Sequence, residues 1–293
     1  MFDISGYKEA LSLEEAKSFL KENPDARIIA GGTDLLIAIR DGEHSGVHLL
    51  GISRIEELNR IVKDDDGNVH IGPGVTFTQL EEDETVGSLF PYLGKAGGTM
   101  GGPQIRNVAT VGGNLCTGAT SADSASMFLC LNAQLKLETA DGERTIPVTE
   151  FHQGPGQVDL KPGEILTDII ISRENYEGFG GKYIKFSQRN AMDIATLGCA
   201  TMVKVKDGRI EELRLAYGVA APTPVRCPSA EQTAKGLEVN VDSIEKIASA
   251  ALNDVKPRDS WRGSKIFREQ LVQELAKRAI AKAAAAAGGG QDA

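Results

Sequence analysis

Four cysteines, Cys116, Cys130, Cys199 and Cys227, are spread through 293 residues with no Cys-x-x-Cys spacing. That scatter fits a reducing compartment and argues against a zinc or iron–sulfur site held by this chain. Histidine is as scarce: His44, His48, His70 and His152 are the only four, and no glutamate follows His44 as a zinc-protease helix requires. Exposed or structural histidines are expected, and no metal site. No G-x-x-x-x-G-K-[ST] or G-x-G-x-x-G run occurs, which disfavours a Walker-type ATPase and a Rossmann dehydrogenase. Without G-x-S-x-G, and with no histidine beside Cys116, nucleophilic catalysis has no support either. The 32 Lys and Arg against 41 Asp and Glu give a net charge of -9 and no basic stripe for nucleic acid. The opening Met1-Phe2-Asp3-Ile4-Ser5 carries no signal pattern, and no window approaches the ~20 apolar residues of a membrane span. A cytoplasmic protein is expected.

What the chain has in excess is glycine, 33 residues or about 11% against a usual ~7%. The length suggests about two domains with a core that needs no disulfide staple. Ser12-Leu13-Glu14-Glu15 matches a capping box, and Leu13, Ala16, Phe19 and Leu20 share a helical face, so a helix is expected to about Asn23. Arg27 to Ala30 reads as a buried strand entering Gly31-Gly32-Thr33-Asp34, followed by an apolar segment Leu35 to Ile39. A strand is expected around Val69 to Ile71, and a capped helix from Thr78-Gln79-Leu80-Glu81. Gly97 to Gly118 holds seven glycines in 22 residues and cannot be one helix or strand. Leu135 to Glu138 and Ile165 to Ser172 read as strands, the second buried on both faces. A domain boundary is expected at 172–182. Beyond it, Asp207-Gly208 joins two long strands as a type I′ hairpin, and helices are expected over Val241 to Asn253 and Ser264 to about Ala285.

The candidate site lies in two paired-glycine turns, Ala30-Gly31-Gly32-Thr33-Asp34 and Thr110-Val111-Gly112-Gly113-Asn114. Paired glycines let backbone N–H groups converge closely on a ligand, and the adjoining Thr and Asn add hydrogen bonds, which together suit a pyrophosphate. Tight turns account for most such pairs, so spacing alone leaves both readings open.

Several motifs in order carry a resemblance. They are Ile28 to Asp34, Gly102-Pro103-Gln104-Ile105-Arg106-Asn107-Val108-Ala109-Thr110-Val111-Gly112-Gly113-Asn114, and Ala119-Thr120-Ser121-Ala122-Asp123-Ser124. With them come Ala191-Met192-Asp193-Ile194 and Gly218-Val219-Ala220-Ala221-Pro222-Thr223-Pro224. Together they resemble the FAD-binding (medium) subunits of molybdenum hydroxylases, and within that family the bacterial xanthine dehydrogenase branch. The resemblance implies an α+β fold: a two-part FAD-binding region of the vanillyl-alcohol-oxidase (PCMH) type, then an α+β C-terminal domain with an antiparallel sheet. The expected division is 1–176 (lobes of about 1–57 and 58–176), 177–287, and a flexible tail 288–293.

The resemblance implies that Arg27, Ile28, Ile29, Ala30, Gly31, Gly32, Thr33 and Asp34 wrap the FAD pyrophosphate. Ala109, Thr110, Val111, Gly112, Gly113 and Asn114 would form a second clamp. Asp123 would hold the ribose side, Ile165 and Leu166 would flank the cofactor, and Lys185 would lie near the isoalloxazine. From the residues alone, Asp123 has the alternative reading of a helix N-cap and Lys185 that of an ordinary strand lysine, and Asp193 reads equally as a turn cap. The flavin would carry the chemistry, with no catalytic side chain and no metal in this chain. Electrons would pass from [2Fe-2S] clusters in a small partner subunit through FAD to NAD⁺, while molybdopterin in a large partner hydroxylates a purine. The alternatives are a carbon monoxide, nicotinate or aldehyde hydroxylase with another acceptor, or a flavin-free scaffold subunit. Pro257 to Lys265 reads either as a docking segment for a partner subunit or as a solvated loop with Trp261 tucked into the core.

Overall fold

A computed structural model describes residues 2–288; the rest of the expected tail, 289–293, lies outside the described residues. The chain begins with β1 (Ile4–Glu9), α1 (Leu13–Glu22), β2 (Arg27–Ile29), α2 (Leu35–Arg40) and β3 (Val47–Gly51). The Ser12 hydroxyl caps α1 by accepting from the Glu15 N–H. Glu15 reaches past the cap to the Leu11 N–H at 2.9 Å. The three strands form a parallel sheet in the order β1-β3-β2, packed on Ala16, Leu20, Leu50, Ile52 and Ile165. Nothing in the sequence reading anticipates β1 or β3.

β4 (Ile61–Lys63) and β5 (Val69–Ile71) open a second sheet, and a chain of short helices follows: α3 (Phe77–Glu82), α4 (Glu84–Leu89), α5 (Pro91–Gly98), α6 (Pro103–Arg106), α7 (Val111–Cys116) and α8 (Ala125–Cys130). α3 starts earlier than the expected Thr78 because the cap is Thr76: its hydroxyl accepts from Gln79 N–H, and the Gln79 side chain accepts from Thr76 N–H. β6 (Gln134–Glu138), β7 (Glu143–Pro147), α9 (Val148–Phe151), the small β8 (His152–Gly154) and β9 (Gln157–Val158) pair, and β10 (Ile165–Ile171) complete this part. The sheet is antiparallel, β4-β5-β10-β6-β7. β10 is central, and Ile165, Ile169 and Ile171 are at most 1% exposed, but Asp168 and Ile170 on the alternate positions are only partly buried, so the strand is not buried on both faces as expected.

Across β5 and β10, His70 Nδ1 lies 2.6 Å from Asp168 Oδ2, with Asp64 at 3.4 Å from the other ring nitrogen. Burial alone would lower the His70 pKa, but Asp168 and then Asp64 outweigh it and hold it above the ordinary 6.5. A raised histidine contributes stability that is complete below the unfolded pKa and is lost as pH rises through the folded one. The side chain is a third exposed, so the contribution is under about 1 kcal/mol. The melting-temperature advantage of the wild type over His70→Gln is therefore expected to be full below about pH 6.5 and to shrink as pH rises above it. Parallel melting curves across that rise, with a constant gap, would refute the pairing.

The third sheet runs β11-β12-β13-β14, all antiparallel, from β11 (Phe179–Phe186), β12 (Leu197–Lys206), β13 (Arg209–Gly218) and β14 (Val225–Arg226). Asp207 and Gly208 turn at φ 51° and 72°, as a type I′ hairpin demands. α10 (Pro228–Ala234), α11 (Val241–Ala250) and α12 (Lys265–Ala286) cover one face. The other face meets the preceding part directly, since Tyr183, Ala200, Met202 and Ala216 belong to the same core as Phe77, Phe90 and Phe128. Two arginines tie this sheet to the end of α8. Arg226 Nη1 donates to Leu129 O and Asn132 Oδ1, each at 2.7 Å, and Arg214 Nη1 donates to Cys130 O at 3.1 Å. The last carbonyls of a helix have no partner within it, and a guanidinium is a favourable one. Among the described residues no helix is long and apolar enough to cross a membrane.

Candidate cofactor-binding site

β2 ends at Ile29 and passes into Ala30-Gly31-Gly32-Thr33-Asp34 at the carboxyl end of a parallel sheet. That is where open α/β sheets hold ligands. The five successive N–H groups from Ala30 to Asp34 donate to no acceptor among the described residues. Asp34 makes no side-chain cap on α2, and burial raises its carboxyl pKa. Gly32 turns at φ +69°, the left-handed region that lets neighbouring N–H groups converge as an anion nest. Gly31 is glycine for another reason. A Cβ there would lie 1.9 Å from the Val108 carbonyl oxygen and 2.9 Å from Ala109 Cα, so the first turn is seated on the backbone that leads into the second. The two glycine turns are thus brought together.

The second turn differs from the expected clamp. Thr110 caps α7, accepting from Gly113 N–H at 3.1 Å. Val111 N–H donates to Val75 O, Gly112 N–H to Pro73 O and Asn114 N–H to Thr110 O. These amides are consumed inside the protein, because the turn is also the first turn of a helix docked on residues 73–75. What this segment offers is close approach and the Asn114 carboxamide. The Asn114 oxygen accepts from Ser124 Oγ at 2.7 Å, and its nitrogen donates to no acceptor among the described residues. Ala109 and Val111 are buried core residues.

Asp123 precedes α8, but Ser124 occupies the N-cap position and makes no side-chain cap. The N-cap reading of Asp123 is overturned. Its carboxylate instead accepts from Lys185 Nζ at 2.8 Å and Tyr183 OH at 3.1 Å, with both partners on β11. Lys185 also donates to Thr99 O at 3.0 Å. The ionic side chains are 7% and 8% exposed. Burial raises the Asp123 pKa, against the pull of Lys185 and Tyr183. Tyr183 was not singled out from sequence, yet its spacing two before Lys185 puts both on one strand face.

Ile165 and Leu166 are 1% and 4% exposed and lie in separate cores, and Ala30 of the open turn packs against the core that holds Ile165. Arg27, Ile28 and Ile29 are the β2 residues paired with β3. Asp193 caps a turn, accepting from Gln188 N–H and Arg189 N–H at 2.8 and 3.0 Å. Cys116 is a free thiol whose pKa burial pushes up to about 12, which leaves it inert as a nucleophile.

Residues 2–173 match the family described as the FAD binding domain in molybdopterin dehydrogenase, and residues 182–283 match the CO dehydrogenase flavoprotein C-terminal domain. The chain is 45% identical over 289 residues to a xanthine dehydrogenase FAD-binding subunit of Escherichia coli, covering 99% of each. It is 32% identical to the glyceraldehyde dehydrogenase medium chain of Sulfolobus acidocaldarius, covering 95% of this chain and 98% of that one. Among solved structures, carbon monoxide dehydrogenase from Hydrogenophaga pseudoflava superposes with a TM-score of 0.92 at 28% identity, over 97% of this chain and 99% of that chain. The cradle of unpartnered amides, the α+β architecture and these matches agree, and the chain belongs to the family of FAD-binding subunits of molybdopterin dehydrogenases, xanthine dehydrogenase-like in its sequence.

Proposed function

We propose that this chain is the FAD-carrying electron-transfer subunit of a purine-hydroxylating molybdenum enzyme, taking electrons from iron–sulfur clusters in a small partner subunit and delivering them to NAD⁺. The observation that carries the cofactor assignment is the run of five free amides at Ala30 to Asp34. Neutral backbone donors hold a diphosphate without lysine, leaving its charge compensated by dipoles alone. Gly31 brings the Val108–Ala109 backbone against this cradle, and the Asn114 carboxamide nitrogen supplies a further donor. Asp123, paired with Lys185, would accept from a ribose hydroxyl, and Lys185 would hold a cation beside the cofactor. FAD, when bound, supplies hydride acceptance and donation together with one-electron steps. A molybdopterin-bearing large subunit completes the complex and holds the substrate; the xanthine dehydrogenase relative supports a purine.

The test is a visible spectrum of the purified chain after FAD addition, then anaerobic titration with NADH. A flavin band that NADH bleaches is the expected result. A chain that stays colourless after incubation sinks the cofactor assignment. A bound flavin that NADH leaves oxidised, in the isolated chain and in the assembled complex, sinks the nicotinamide acceptor alone.

A further inference from the structure

The basic and aromatic segment near the C-terminus has no task in the cofactor site, and its geometry excludes the reading in which Trp261 is tucked into the core. The only tryptophan of the chain is 74% exposed, and Ile266 is 78% exposed. Met192 and Ile194, from the loop between β11 and β12, are 54% and 47% exposed. The two segments adjoin at Thr196 and Gly263. A Cβ at Gly263 would meet Phe267 at 3.2 Å and Thr196 at 3.3 Å, and the Phe186 and Phe267 rings stand edge to face at 5.8 Å. Large apolar side chains scattered singly are ordinary, whereas a contiguous group of them marks an interaction site.

The charge of this surface opposes that of the molecule. Pro257 to Glu269 holds four cations and two carboxylates in a chain of net charge -9, and Glu269 pairs with Lys265 at 3.7 Å. Arg268 is 2% exposed, and its guanidinium donates to Thr196 O, Arg258 O and Ser260 Oγ. Among the described residues no carboxylate pairs with it, although buried charges are ordinarily paired. Burial, with Arg258 and Arg262 adding repulsion, lowers its pKa. Arg262 Cζ stands over the Trp261 ring, 4.0 Å from its centroid, and its Nε is buried without an acceptor among the described residues. Tryptophan and arginine around a desolvated centre are the composition of interface hot spots.

We propose that this surface, centred on Trp261, Arg262 and Ile266, docks a partner subunit of the same enzyme through a segment presenting carboxylates beside apolar side chains. The proposal rests on the reading of this chain as one subunit of a complex. Trp261 and Ile266 supply the apolar anchor, and Arg262 with Arg258, above the buried Arg268 guanidinium, makes the patch net positive, which excludes a basic partner. Met192 N–H donates to Gly101 O at 3.0 Å, so the surface continues onto the glycine-rich segment that holds Thr99 against Lys185.

The experiment uses the three-subunit complex, co-expressed with wild-type chain or with Trp261→Ala, Ile266→Asp or Arg262→Glu, and read by gel filtration with light scattering. Each variant is expected to reduce the fraction of this chain eluting with its partners at least about tenfold. Wild-type assembly is expected to weaken as salt rises. Each isolated variant is expected to keep wild-type FAD content, since none of the three residues touches the cradle. Normal assembly of all three variants would overturn the proposal. So would an isolated wild-type chain that dimerises and becomes monomeric in the variants, because the surface would then join two copies of this chain. Failure of the isolated wild-type chain to take up FAD would sink the cofactor assignment and leave the docking result unaffected.

Discussion

Gly31→Ala is expected to lower FAD occupancy at least about tenfold, the equivalent of losing one charge-assisted hydrogen bond to the diphosphate. The added methyl would stand 1.9 Å from the Val108 carbonyl oxygen, and backbone cannot swing aside as a side-chain end does. The first turn must therefore lift off the second, which misaligns the amides of Ala30 to Asp34. Gly32→Ala is the control. Its Cβ would meet only the side chains of Leu36 and Ile29, at 3.0 and 3.1 Å, and the main cost is about 1–2 kcal/mol for an L residue at positive φ. Flavin absorbance per mole of purified chain ranks the variants, with circular dichroism to verify the fold. If Gly31→Ala kept full flavin content while Gly32→Ala lost it, close approach of the two turns would have no part in binding.

Asp123→Asn and Lys185→Met are each expected to destabilise the chain by about 3–5 kcal/mol, because each leaves a charge buried and unpaired. That is a large share of the ~5–15 kcal/mol typical of a folded domain. The double variant is expected to recover most of the loss, since both charges are then gone and shape is nearly kept. Denaturant midpoints of the four proteins give the coupling energy. Additive losses in the double variant would mean that the 2.8 Å contact carries no mutual stabilisation. FAD affinity is expected to stay low in the double variant even where stability returns, separating the carboxylate's contact with the ribose from its contact with the lysine.

Local rules made part of this molecule legible in its sequence. The Asp207-Gly208 hairpin, the α1 cap at Ser12 and the isoleucine-rich central strand β10 each follow from a short-range preference. β1 escaped notice because Ile-Ser-Gly-Tyr-Lys-Glu does not alternate, and its burial is nearly uniform along the strand. The α3 cap was misplaced by two residues because Thr76 and Thr78 both satisfy a weak pattern, and tertiary contacts chose Thr76. Both glycine turns were legible as turns. That the first keeps its amides free while the second spends them on Pro73 and Val75 was not, because the difference is set by what docks against each. Arg214, Arg226 and Arg268 read as solvent residues in any sequence scan. Their burial depends on carbonyls brought from 72 to 97 positions away in the chain.

The two-ended hold on α8 bears on how the protein is made. Its first end is fixed by a lysine 62 residues downstream of Asp123, and its last by an arginine 97 residues downstream of Leu129. A ribosome delivering roughly 5–20 residues per second has released the glycine turns many seconds before those anchors exist. The acceptor that the proposed ribose contact needs is oriented only after β11 to β14 have formed. Cofactor insertion that uses this contact is thus expected late in the birth of this polypeptide, once nearly the whole chain has left the tunnel.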